Sequence, residues 1–313
     1  MTRKGRAFST VALCCCTAAA GAGLVGCEDA SKAEGKPAAG HSASSAEKRP
    51  DGGLLTGTRK IDVSGHSVHV SCSGRDEGPG APVVVLLSGG GDHLGKMAAF
   101  QKTLGNKNRV CSYDRLGQGA SDKPSGPQTF ESTGQILTGV LKRVAGDRPV
   151  VLAGHSLGGI IAARYAPDHR DKVKGLVLLD ATSPTNTADI AEAIPESAGG
   201  EAGQLREQNL AIFRGKNPEK LRIPDGKVRS AGDIPVEVVK HGKPYLAAVP
   251  EYGPALERSW TRGQHKWRAL STESRGSTAE HSGHYIYLEE PDVAVEAVHR
   301  VTARVADAER SAG

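Results

Sequence analysis

Three apolar runs constrain this chain most: PVVVLLS (82–88), PVVLAG (149–154) and VKGLVLLD (173–180). A strand with one face in water alternates apolar and polar residues. A run such as PVVVLLS, without alternation, reads as a strand covered on both faces. Helix-like stretches lie between such runs. ESTGQILTGVLKRVAG (131–146) carries Ile136, Leu137, Val140, Leu141 and Val144 at helical spacing. RVCSYD (109–114) and PVEVV (235–239) read as further strands, and TRKIDV and SVHVSC as a hairpin-like pair turning at Gly65. GPALERSWTRGQHKWRALS (253–271) reads as a helix. A final helix opens with Pro291 in its first turn. This alternation predicts an α/β fold with a mostly parallel, doubly wound sheet.

With 313 residues and 38% hydrophobic content, the chain can bury a large core. Its first 26 residues have a basic start and a small-residue apolar stretch, the organisation of a secretory signal. The stretch is too short and too weakly apolar for a membrane span. Leu24-Val25-Gly26-Cys27 resembles the lipobox of bacterial lipoproteins, which implies lipid on Cys27 and a membrane anchor. Secretion after an ordinary cleavage is the alternative. Residues 27–53 lack nearly every large apolar side chain and read as a flexible tether reaching roughly 30 Å.

Removing Arg3, Lys4 and Arg6 with the leader lowers the formal charge from +5 to +2, and no basic stripe remains. Nucleic acid is therefore not expected as a partner. Of six cysteines, Cys72 and Cys111 alone fall in the folded body. An even remainder in an exported protein points to a disulfide.

The chemistry centres on Gly154-His155-Ser156-Leu157-Gly158, the one complete Gly-x-Ser-x-Gly in the chain. With 40 Gly and 24 Ser, chance alone gives about 0.4 such matches, so context decides its value. Here the motif joins a buried-strand run to a helical stretch. A turn that sharp needs glycine on both sides and lifts the serine oxygen above the sheet at a helix N-terminus.

In this context the chain resembles the α/β-hydrolase superfamily over roughly residues 57–308. YDRLGQGASD (113–122), SGGGD (88–92) and HSGHYIYLEEPD (281–292) resemble three of its loops. The resemblance implies Ser156 as nucleophile and His284 as general base, with His281 as runner-up. It implies oxyanion donors at the Leu157 amide and the Gly90 amide, although Gly89 competes. It also implies that Asp114 and Arg115 fix their loop, and that the strands of Cys72 and Cys111 are neighbours, each cysteine near its strand's C-terminal end. His155 is expected to pack under the turn, and His241, His265 and His299 to lie on the surface.

Most of the superfamily carries its acid after the seventh strand, but here KHGKPY follows PVEVV. Glu251 and Glu257 come later and have no motif to recommend them. Asp180, ending VKGLVLLD, stands where some members carry the acid after the sixth strand. The order Ser156, Asp180, His284 is then preserved. The expectation is a monomeric serine hydrolase at 54–313, with a small cap at about 183–234 whose clearest amphipathic piece is 205–213. It would cleave a small acyl substrate, most simply a carboxylic ester, without metal or organic cofactor. Amide or aminopeptidase chemistry is the alternative, as is a catalytically silent surface lipoprotein that binds a ligand or partner.

Overall fold

In the computed structural model, which describes residues 55–78 and 80–312, the apolar runs lie side by side in one eight-stranded sheet. The strands are β1 (Gly57–Val63), β2 (His66–Gly74), β3 (Val83–Leu87), β4 (Arg109–Tyr113), β5 (Val150–His155), β6 (Val173–Leu179), β7 (Val236–His241) and β8 (Ser274–Ala279). Their order is β1-β2-β4-β3-β5-β6-β7-β8. β2 pairs antiparallel with β1 and β4, and all other pairs are parallel. The helices are α1 (Ala98–Leu104), α2 (Phe130–Ala145), α3 (Leu157–Tyr165), α4 (Asn186–Ala193), α5 (Gly200–Phe213), α6 (Gly253–Trp267), α7 (Ile286–Glu289) and α8 (Pro291–Ala312). The leader, Cys27 and the tether lie outside the described residues. Among the described residues no helix is long and apolar enough to cross a membrane.

The absence of alternation in β3 now has its explanation. Val83, Val85 and Leu87 enter the core under α2 and α3, while Val84 and Leu86 enter the opposite core under α1 and α8. β5 and β6 divide their side chains in the same way. Each fully buried side chain of this kind contributes about 1.5–3 kcal/mol relative to exposure. Strand–helix order is thereby tied to two continuous apolar layers.

Local signals hold the elements in place. Ser64 and Gly65 both have positive φ (54° and 79°), as a two-residue hairpin turn between twisted strands requires. Thr129 caps α2, exchanging hydrogen bonds with Ser132 in a capping box. β8 had no counterpart in the sequence reading. As a sheet-edge strand of sequence SRGSTA it buries little beyond Ala279, so no apolar pattern marks it.

Cys72 and Cys111 face each other in the β2–β4 register and are disulfide-bonded, with Cα atoms 4.1 Å apart. The placement expected for them needs one correction. Because β2 runs antiparallel to β4, only Cys72 lies near a C-terminal strand end, and Cys111 sits mid-strand. Closing a 39-residue separation restricts the unfolded chain by an entropy worth roughly 4 kcal/mol.

The segment between β6 and β7 carries α4 and α5. A small separate apolar cluster (Ala193, Ile194, Ala202, Leu246, Val249 and Leu256) ties them to α6. The amphipathic piece expected at 205–213 lies within α5, which buries Ala202, Asn209 and Leu210 and leaves its other residues half-buried or exposed.

Candidate active site

The C-terminal ends of β5, β6 and β7 bring the chemistry together. β5 ends at His155 and α3 begins at Leu157, leaving one residue, Ser156, to turn the chain. Ser156 has φ 51° and ψ −118°, a strained conformation for a residue with a side chain. The glycines around it answer to crowding. A Cβ on Gly154 would meet the Gly158 carbonyl oxygen at 2.5 Å, and one on Gly158 would meet that of Leu87 at 2.2 Å. No other residue fits either position without moving backbone. The turn is pinned to the next strand, since the Ser156 amide donates to the Leu179 carbonyl and the Thr182 amide donates to the Ser156 carbonyl.

Leu157, as first residue of α3, presents one of the amides that a helix start leaves without an intrahelical acceptor. Gly90 lies against it, its Cβ direction pointing 3.4 Å from Leu157 Cδ2. Gly89 faces elsewhere, toward the His155 ring and the Asp92 carboxylate. Arg115 holds this loop from below. Its guanidinium donates to the Ser88 and Gly89 carbonyls and forms a bidentate pair with Glu219, from the segment between β6 and β7. Gln118 donates to Gly89 as well. Asp114 accepts from the amides of Leu94 and Ala120 and contacts His69 Nδ1 at 2.8 Å.

His284 is buried in the loop after β8, and its Nδ1 lies 2.7 Å from Asp180 Oδ2. The Tyr245 hydroxyl stands 3.3 Å from the same nitrogen, a longer contact than the charge-assisted one to the carboxylate. His155 secures the loop by donating through Nε2 to the His284 carbonyl at 3.0 Å. Fully buried, with His284 beside it, His155 has a pKa far below that of an ordinary histidine and is neutral. It packs beneath the turn against Tyr285 and Tyr287. His281 is exposed and outside the cluster, as are Glu251 and His265.

Asp180 directly follows β6, with a positive φ of 45° and no solvent exposure. Burial alone would raise its pKa. Hydrogen bonds from His241 and His284 outweigh burial and hold it far below the usual carboxylate range. Trp260 of α6 adds a donor, its Nε1 2.8 Å from Asp180 Oδ1.

His241 corrects the sequence reading. Expected at the surface, it is 4% exposed at the end of β7, with Nδ1 2.9 Å from both Asp180 oxygens. Glu257 is corrected too. Though no motif recommends it, it meets His241 Nε2 at 2.9 Å and accepts from the Leu246 amide at 2.7 Å. Burial would lower the pKa of His241, but its two carboxylate partners raise it to about 9. One signal could have found His241. Groups at the C-terminal ends of strands in an open α/β sheet face the site, and His241 ends a strand there. Trp260 offered no comparable signal.

Known proteins place this geometry in context. A proline iminopeptidase PfmaB of Pestalotiopsis fici is 32% identical over 122 residues, which are 38% of this chain and 42% of that protein. A pimeloyl-(acyl-carrier protein) methyl ester esterase of Chromobacterium violaceum is 30% identical over 187 residues, 56% of this chain and 67% of that one. The chain thus spans less than half of the iminopeptidase's length and about two thirds of the esterase's. The carboxylesterase CesB of Bacillus subtilis superposes with a TM-score of 0.56 at 16% identity, over 79% of this chain and 92% of its own, a likeness of fold. The family model for the alpha/beta hydrolase fold matches residues 82–273, more than half of the sequence, and the chain belongs to that family.

Proposed function

We propose that this protein is an exported serine hydrolase that cleaves a carboxylic ester through an acyl-enzyme on Ser156. The observation that carries this reading is the joint placement of a strained Ser156 at the start of α3 and a His284 ring held by Asp180 at 2.7 Å. His284 Nε2 takes the Ser156 proton as Oγ bonds to the ester carbonyl carbon. The negative charge moves to the carbonyl oxygen, where the Leu157 and Gly90 amides receive it. The C–O bond then breaks, His284 returns the proton to the leaving alkoxide, and the acyl group stays on Ser156. Water repeats the sequence with His284 as base, releasing the acid. Asp180 stays ionised throughout and stabilises the imidazolium that forms on His284 in each half-reaction.

The similarity to an esterase over two thirds of that protein's length favours esters. The shorter similarity to an iminopeptidase makes amides the second reading. A fluorophosphonate probe tests the hydrolase reading, and stoichiometric label on Ser156 is expected. Folded protein that takes no label would favour a silent ligand-binding protein. A panel of acyl esters, lactones and amides then ranks the substrates. Anchoring through Cys27 is part of the same proposal. A lipid-modified mature peptide beginning at Cys27 is expected by mass spectrometry, and an unmodified peptide beginning upstream would refute it.

A further inference from the structure

We infer that His241 is an imidazolium bonded at both ring nitrogens, and that with Glu257 it positions Asp180 for His284. It is a positioning group, separated from the serine by Asp180 and His284. The inference rests on the hydrolase reading above and adds to it a charged support behind the acid.

Geometry decides the charge. His241 Nδ1 lies 2.9 Å from both Asp180 oxygens, and Nε2 lies 2.9 Å from Glu257 Oε2. An ionised carboxylate can only accept hydrogen bonds, so each contact requires an N–H on the ring. Neutral imidazole has one N–H, and only the cation has two. The neutral ring would aim a lone pair at one carboxylate inside a site where His241 is 4% exposed.

The contacts also explain how the pair acts. Asp180 Oδ1 accepts from the His241 amide at 3.2 Å, from the His241 ring and from Trp260. Donors from β7 and α6 thus grip one oxygen, while Oδ2 meets His284 and the His241 ring. The carboxylate cannot rotate away from His284 without breaking them. Glu257 anchors the far side of His241 and is itself held by the amides of Leu246 and Ala247. Asp180, fully buried with this many donors, keeps its charge beside a cation, which offsets the cost of removing it from water.

The groups facing His241 are Asp180 from the end of β6, Glu257 and Trp260 from α6, and Tyr245 from the turn at 245–248. Lys240 Nζ bonds the carbonyl of His241, 3.3 Å away. Both carboxylates favour the cation, and burial opposes it, leaving a pKa of about 9. A raised histidine pKa adds stability that is complete below the ordinary value near 6.5 and is lost as pH rises through about 9. Alkaline loss of support for Asp180 should follow the same titration.

Imidazole ¹⁵N NMR of the full chain, assigned with His241→Gln, reads the protonation directly. Both His241 nitrogens should carry protons at neutral pH and lose one near pH 9. Glu257→Gln should move that titration to lower pH. In kinetics with an ester substrate, His241→Gln should lower kcat by about 10- to 100-fold, with KM little changed. The alkaline limb of kcat near pH 9 should disappear in His241→Gln and shift downward in Glu257→Gln. A neutral His241 at neutral pH, or a limb and kcat unchanged in both variants, would overturn the inference. Its failure is distinct from that of the hydrolase reading. A wild type that takes no fluorophosphonate refutes the latter, while NMR still decides the charge of His241.

Discussion

Replacing Ser156 with alanine should lower kcat by about six orders of magnitude on any good ester, the loss seen when a triad's nucleophile is removed. The fold should survive, since the substitution leaves the turn's backbone hydrogen bonds in place and the crowding falls on Gly154 and Gly158. Residual rate over water should persist, because the oxyanion amides remain. Alanine at this φ is no more strained than serine. A single-turnover assay with an activated ester, beside thermal melts of both proteins, checks the prediction. An alanine variant with half the wild-type rate would exclude an acyl-enzyme on Ser156 and direct attention to another nucleophile.

Asp180→Asn should cost about 10⁴ in kcat, the scale of removing the orienting acid from such a triad. The amide can present an N–H to His284 Nδ1, which selects the wrong tautomer for a base acting through Nε2. Asn tolerates the positive φ at this position, so the backbone should hold. Stability should nevertheless fall, because Asp180 is also the anion that His241 and Trp260 address. Melting temperature and kcat should therefore be measured together. Glu251→Gln should change neither, since Glu251 is exposed and outside the cluster. A near-normal Asp180→Asn enzyme would move the acid to another residue.

The two variants separate what the fold does from what the site does. Ser156 is held by strain at a strand–helix junction, and its variant should lose chemistry alone. Asp180 is held by a network and should lose both. That difference follows from burial, since a carboxylate with no solvent exposure must have its charge answered by neighbouring groups.

Much of this was legible in the chain. Unbroken apolar runs identify strands covered on both faces, because alternation disappears only when both faces are dry. The glycines beside Ser156 are a local requirement of a turn that a Cβ would block, so Gly-x-Ser-x-Gly could be read in its place. Asp180 was readable from its position at a strand end. β8 was not, because a polar edge strand carries no periodic signal. His241, Glu257 and Trp260 were not read either. They lie 61, 77 and 80 residues after Asp180; His241 and Trp260 meet it, and Glu257 meets His241, through the parallel pairing of β6 with β7 and the packing of α6. Sequence alone determined the succession of buried strands and the Gly-x-Ser-x-Gly turn between β5 and α3, since local turns and hydrophobic runs encode them. Tertiary structure alone decided what surrounds Asp180, because the charge of a buried group depends on neighbours that the chain brings together only when the sheet is formed.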